Sequence, residues 1–265
     1  MGSQAIVGAL DAKTVQGWLP PVNRQVMVID QGSGEASFMD MLESHSNRFR
    51  WVKLTNGQAI DDLDLTLKKA GLCKSHGIEG YAGGTLVEWC IKHGKTNKLL
   101  DLLGLFGFEW CEVSDGTINL PEEDRWQLIR FLTRHGIKVI SEIGKKKPED
   151  AYRVGPDDWS RIALRDLDEG AEITTLEARS TGTAGIAVGG RLDTEIIDRV
   201  LASGVPPCRL MIEAPTRTLQ VEAIRTYPEA CLGNVFPADI MMVSALRRGL
   251  APESLEWFQQ AQLQS

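Results

Sequence analysis

The sequence contains no stretch of about eighteen apolar residues, so a membrane-spanning helix is not expected. CxxC spacing is absent as well. The five cysteines (Cys73, Cys90, Cys111, Cys208 and Cys231) are odd in number, which points to neither a disulfide framework nor a zinc site. A reducing compartment fits them best. The first residues, Met1 to Lys13, lack a charged segment followed by a long apolar run, so a signal peptide is not expected. Ile6 stands where a myristoylation signal wants Ser or Thr. A cytoplasmic location follows as an expectation. Basic excess is also missing: 29 Lys and Arg face 36 Asp and Glu, a net charge of -7. That balance argues against a broad nucleic-acid face. It leaves room for a small anionic substrate, because a few cations in a cleft reverse the sign locally.

What is present reads as alternation. Of 265 residues, 43% are hydrophobic and 25% charged, an ordinary globular composition. Short apolar runs suggest strands over 25–30, 50–54, 77–81, 109–113, 137–142, 172–177, 209–213 and 232–236. Amphipathic segments fall between them, among them 59–70, 85–93, 125–135, 157–170, 192–203 and 238–249. Several close on glycine, as helix C-termini do: His93-Gly94, His135-Gly136 and Arg248-Gly249. Repeated β-then-α units imply a parallel sheet with right-handed crossovers. Eight of them predict a (β/α)8 TIM barrel, one domain over 1–265 with a short C-terminal extension. An open doubly wound sheet is the alternative, and the absence of GxGxxG at its first turn weakens the dinucleotide-binding version. The tail 251–265 starts with a helix signal and is expected to pack on the outside.

The chemistry should lie where the strands end. Asp30 follows the first apolar run and Lys53 sits inside the second. Glu112 belongs to the fourth with Asp115 just beyond it, Glu142 closes the fifth, Glu177 the sixth with Arg179 just after, and Glu213 the seventh. Asn234 is near the end of the last. Ionisable groups are expensive to bury unpaired. Their recurrence on most strands makes sense if the strand ends gather around one barrel mouth, from which barrel enzymes draw their catalytic groups. A ring of carboxylates needs compensation. Lys53, Lys145 and Arg179 can supply it, or a divalent cation can, and oxygen ligands without clustered His or Cys suggest Mg²⁺. The plainer reading is a set of structural ion pairs across the barrel end. In the run after Glu142, Lys145 is expected to turn into the mouth, leaving Lys146 and Lys147 as surface or rim charges. Two glycine loops, Tyr81 to Thr85 through Gly83 and Gly84, and Ser180 to Gly185, could offer backbone N–H groups to an oxyanion, or could be tight turns. The four histidines avoid the strand ends, and His93 and His135 read as helix C-terminal residues stabilised by the dipole.

Several ordered motifs together resemble a known family. Gly80-Tyr81-Ala82-Gly83-Gly84-Thr85-Leu86-Val87-Glu88 is similar to its YPGGTLFE, Gly107 to Gly116 to its GFxxxEISDG, and Ser141-Glu142-Ile143-Gly144-Lys145-Lys146 to its TEVGKK. Glu213-Ala214-Pro215 and Leu246-Arg247-Arg248-Gly249-Leu250 match in order and spacing. The family is phosphosulfolactate synthase, and the resemblance spans about Val28 to Leu250. It implies a Mg²⁺-dependent barrel that adds sulfite to phosphoenolpyruvate, giving (2R)-phospho-3-sulfolactate on the way to coenzyme M or sulfolactate. Barrels commonly assemble into symmetric homo-oligomers, so one is the expected assembly. The family's DKG reads Asp30-Gln31-Gly32 here, its KFGWGT reads Lys53-Leu54-Thr55-Asn56-Gly57-Gln58, and its basic glycine loop reads Thr181 to Gly185. Two positive charges are thereby lost. A relative that joins another nucleophile to phosphoenolpyruvate, and a non-catalytic barrel, therefore stay open.

Under the sulfite reading, Glu112, Glu142 and Glu213 are the expected metal ligands, with Asp115 and Glu177 orienting them or the substrate. Lys145 is the expected acid for C2 of the substrate, and Lys53 and Arg179 the expected anion holders. Asp30, Gly83, Gly84 and Asn234 complete the expected substrate site.

Overall fold

The computed structural model describes residues 11–55, 57–146, 154–179, 181 and 185–262. Eight parallel strands form one sheet: β1 (Val26–Asp30), β2 (Trp51–Leu54), β3 (Glu79–Ala82), β4 (Trp110–Val113), β5 (Lys138–Ile143), β6 (Ala171–Leu176), β7 (Leu210–Glu213) and β8 (Cys231–Val235). The hydrogen-bonded order runs β3-β2-β1-β8-β7-β6-β5-β4. The sheet curls until its two ends, β3 and β4, lie side by side without a backbone ladder. This is the expected barrel, nearly closed, and it excludes the open doubly wound sheet. Each strand falls within two residues of its sequence expectation.

Helices sheathe the barrel because the strands are apolar on both faces. Beyond the segments anticipated from periodicity, helices form over Glu35–His45, Leu99–Phe106 and Arg217–Thr226. The three glycines expected to end helices do so with left-handed backbone, at Gly94, Gly136 and Gly249. His93 and His135 cap the helices before them, their Nδ1 atoms 2.8 Å from the carbonyls of Trp89 and Phe131. The tail forms the helix Pro252–Gln262, which lies against Arg217–Thr226 and Ile240–Arg247. A small hairpin pairs Ala187–Val188 with Arg191–Leu192 through Gly189 and Gly190. Periodicity does not reveal two-residue strands, so this hairpin is visible only in the structure. No described helix is long and apolar enough to cross a membrane. All five cysteines are free thiols.

Two cores result from strand alternation. The larger lies between barrel and helices. The smaller fills the barrel with Met27, Trp51, Tyr81, Trp110, Ile140, Ile173, Met211 and Cys231. Trp51 and Trp110 meet edge to face inside it, ring centroids 5.8 Å apart. Two residues further along the same inward face come Ile29, Lys53, Glu112, Glu142, Thr175 and Glu213. The barrel therefore carries an apolar plug with a charged layer directly above it, at the C-terminal ends of the strands. That is where barrel enzymes place their sites.

Candidate active site

Lys53 stands at the centre of the charged layer. Register aligns it with Ile29 on β1 and Tyr81 on β3, both inward-facing. Its Nζ lies 3.1 Å from Glu112 Oε2, 3.1 Å from Glu142 Oε2 and 3.3 Å from Glu213 Oε1. Removing one ammonium from water costs several kcal/mol. Burial pulls the lysine towards its neutral form, yet the three glutamates outweigh it and hold the amine charged, well above its usual range. Lys53 does not snorkel outward, and its three partners come from three other strands.

Each carboxylate has its own surroundings. Glu112 Oε1 accepts from the N–H of Gly84 at 2.7 Å, and its Oε2 is 3.5 Å from the Tyr81 hydroxyl. Burial pushes its pKa up to about 7, opposed by Lys53 and reinforced by Glu142. Glu142 is also buried, but Lys146 and Lys53 outweigh burial and hold it below the ordinary carboxylate range. Glu177 Oε1 accepts from the N–H of Arg179 at 2.5 Å. Burial first, then Glu213 and Glu142, push Glu177 well above the ordinary range. Glu213 Oε2 accepts from the N–H of Ala178 at 3.0 Å.

Oxygens of Glu142, Glu177 and Glu213 all lie within 4.8 Å of one another, a grouping able to hold a metal ion. The donors are all hard oxygens, as Mg²⁺ or Ca²⁺ prefers. The expected set named Glu112 in place of Glu177. Glu112 lies outside that grouping, its Oε1 accepting from the N–H of Gly84, while Glu177 closes the triad.

Above these groups lies a cavity of about 330 Å³. Lys53, Glu112, Lys146, Glu177, Arg179, Glu213 and Asn234 line it, together with Gln31, Thr55 and Thr117. Lys146 reaches in, its Nζ 3.0 Å from Glu142 Oε1 and 3.5 Å from Glu177 Oε2. Lys145 turns the other way. Its Nζ binds the Asp115 carboxylate, the Asp115 carbonyl at 2.7 Å and the Ile118 carbonyl at 3.2 Å. The structure thus reverses the expectation for this pair: the rim lysine of the sequence reading is the cavity lysine. Lys147 and residues 180 and 182–184 of the second glycine loop lie outside the described residues.

Asp30 and Asp115 also sit elsewhere. Asp30 is one residue out of phase with Ile29 and faces the helices. There Lys69 binds its Oδ2 at 2.6 Å and Ser33 binds its Oδ1. Asp115 serves Lys145 and lies 3.5 Å from Arg125. Gly83 and Gly84 do border the cavity, but their N–H groups are taken, by the Leu54 carbonyl at 2.9 Å and by Glu112. Gly84 is needed for space: a Cβ there would come within 2.2 Å of Ser114 Oγ. Gly185 is likewise tight, since a Cβ would overlap the Glu177 carbonyl at 1.7 Å. The loop after β6 thereby folds back onto Glu177, with Ile186 N–H donating to the same carbonyl.

Sequence reasoning missed the residues that support the site from the helices. Buried Glu88 accepts from Ser114 Oγ at 2.5 Å and from the N–H groups of Gly116 and Thr117, each at 3.0 Å. Buried Arg125 clamps Asp166 and donates to the Glu142 carbonyl at 3.0 Å. Among the described residues, the two non-glycine positions with left-handed backbone are Arg179 (φ 57°) and Asn234 (φ 53°). Both line the cavity. Backbone strain of this kind gathers at functional sites.

Fold and site together define a TIM-barrel protein with a metal-competent acidic triad and flanking cations at its C-terminal mouth. Deoxyribose phosphate aldolase from Aeropyrum pernix has the same barrel, with a TM-score of 0.51 at 11% identity over 84% of this chain and 89% of that one. The family model for (2R)-phospho-3-sulfolactate synthase (ComA) matches residues 20–253. Phosphosulfolactate synthase of Methanothermobacter thermautotrophicus is 33% identical over 89% of this chain and 93% of its own. That of Bacillus subtilis is 31% identical over 89% and 93%. The chain belongs to the phosphosulfolactate synthase family.

Proposed function

We propose that this protein adds sulfite to phosphoenolpyruvate with the help of Mg²⁺, forming (2R)-phospho-3-sulfolactate. The observation that carries the reading is the triad of Glu142, Glu177 and Glu213, two members of which, Glu177 and Glu213, line one cavity with the cations Lys53, Lys146 and Arg179, in a chain of this family.

The residues suit a divalent cation. Three carboxylates crowd together, and burial first and then that crowding hold Glu177 towards its neutral form, as expected of a site short of one positive charge. Bound there, Mg²⁺ would supply Lewis-acid stabilisation of the charge that builds on the substrate carboxylate, worth several kcal/mol. The remaining work falls to the chain. The sulfur lone pair attacks C3, the C2–C3 π pair moves onto C2 and the carboxylate, and C2 then takes a proton. Lys146 is the donor in this reading, because its ammonium borders the cavity, whereas Lys145 is occupied with Asp115 outside it. Lys53 bonds to Glu112, Glu142 and Glu213 and holds the three in position. Arg179, exposed at the rim, offers charge-assisted hydrogen bonds to the phosphate.

Formation of the C–S bond, followed by ³¹P and ¹H NMR with sulfite, phosphoenolpyruvate and Mg²⁺, tests the reading. Full turnover after EDTA treatment would remove the metal from it. Consumption of phosphoenolpyruvate only with another nucleophile would favour the divergent-substrate alternative, for which the neutral Gln31 at the cavity is the structural argument.

A further inference from the structure

Asn234 is the one cavity residue whose side-chain functional group has no hydrogen-bond partner among the described residues while being almost fully buried. It is 3% exposed, and its Oδ1 is sealed from solvent without a donor. A buried amide oxygen left without a donor forfeits the hydrogen bonds it makes in water. Its backbone adds left-handed strain at φ 53°. Packing gives no return for either, since Asn234 is the next-to-last residue of a strand whose other residues are apolar or glycine.

Position around the mouth indicates what such a group would bind. The charged wall is built on β2 and β5 to β7, with Lys53, Lys146, Arg179 and the acidic triad. Asn234 stands on β8, which pairs with β1, so this arc presents Asn234, Ile29 and Gln31 to the cavity and carries no charge. A phosphorylated carboxylic acid, with several negative charges, belongs against the charged wall. A small nucleophile with a single charge and an acidic proton suits the neutral arc. An amide can donate to one of its oxygens and accept from the protonated one.

We infer that Asn234 holds the nucleophile: its amide binds and orients a small, partly protonated oxyanion, bisulfite, across the cavity from the enol phosphate. This rests on the sulfite-adding reading above. Glycine tolerates the same backbone without strain, so Asn234→Gly removes the amide and spares the fold. Asn234→Asp keeps the shape and the acceptor but repels an anion.

Two measurements test the assignment. Steady-state rates with both substrates varied should show Asn234→Gly raising KM for sulfite about tenfold, equivalent to about 1.4 kcal/mol, with KM for phosphoenolpyruvate within about twofold. Asn234→Asp should raise the sulfite KM further. Calorimetric titration of sulfite into EDTA-treated protein should show the same order of affinities without turnover. An equal rise in both KM values, or no change in either, overturns the assignment. If the wild type fails to join sulfite to phosphoenolpyruvate, the functional reading falls. The calorimetric comparison then still decides whether the amide binds the oxyanion, because unchanged sulfite binding in Asn234→Gly overturns it alone.

Discussion

The ammonium of Lys146 lies 3.0 Å from Glu142 Oε1, while its neighbour Lys145 is held by Asp115 on the far side of the same loop. Adjacent lysines thus take opposite tasks. Lys146→Ala should lower kcat by about 10²–10⁴, the range of general-acid contributions, with little change in melting temperature. Lys145→Ala should do the reverse, lowering stability and leaving kcat the less affected of the two. Steady-state kinetics and thermal unfolding on both variants decide, and a larger kcat loss in Lys145→Ala would return the acid to that residue.

Metal binding should release a proton. Glu177 is pushed above the ordinary range by burial and by Glu213 and Glu142, so in the metal-free protein it holds a proton to higher pH than a free carboxylate. A cation binds the carboxylate form, and affinity therefore rises with pH and falls as the solution is acidified. Titrating Mg²⁺ in buffers of different ionisation enthalpy between about pH 6 and 8 measures the protons released. Affinity independent of pH over that window would contradict the placement of Glu177 in the triad.

Gly84 should tolerate nothing larger. A methyl group would come within 2.2 Å of Ser114 Oγ and 3.1 Å of Glu112 Oε1. Gly84→Ala should destabilise the fold by about 1–3 kcal/mol, as overpacking does. It should also weaken the 2.7 Å bond from this N–H to Glu112. Urea unfolding reports the first effect, and unchanged stability would show that the helix start moves freely.

Thiol labelling should be sharply selective. Burial pushes the Cys73 and Cys231 thiols up to about 12 and raises Cys90 and Cys111 as well. A raised value means less thiolate at pH 8, and all four are buried, whereas Cys208 is exposed. Iodoacetamide should therefore add once to the native chain, at Cys208, and five times after denaturation, as counted by mass spectrometry.

Much of the architecture is legible in the sequence because strand periodicity and helix-ending glycines are local signals. Residues at the strand ends are visible too, and Lys53, Glu142, Glu177 and Glu213 do converge. Which way a residue faces is harder to read. Asp30 and Ile29 differ by one position, yet that parity sends the aspartate to Lys69 and the isoleucine to the cavity. Lys145 and Lys146 lie in a loop, where no periodicity assigns a direction. Glu88 and Arg125 sit on helices, away from the strand ends. The available signal was a charge on an otherwise apolar face, such as Arg125 among Leu128, Ile129 and Leu132.

The join between β3 and β4 has no backbone ladder, and Glu112 spans it, reaching from β4 to the N–H of Gly84 just beyond β3. Ser114 and Glu88 make a second crossing nearby. The barrel is thus fastened shut by the same carboxylate that grips Lys53. Mechanical closure and the electrostatics of the cavity share one side chain, so any change that loosens the cylinder at this join also resets the charge at its mouth.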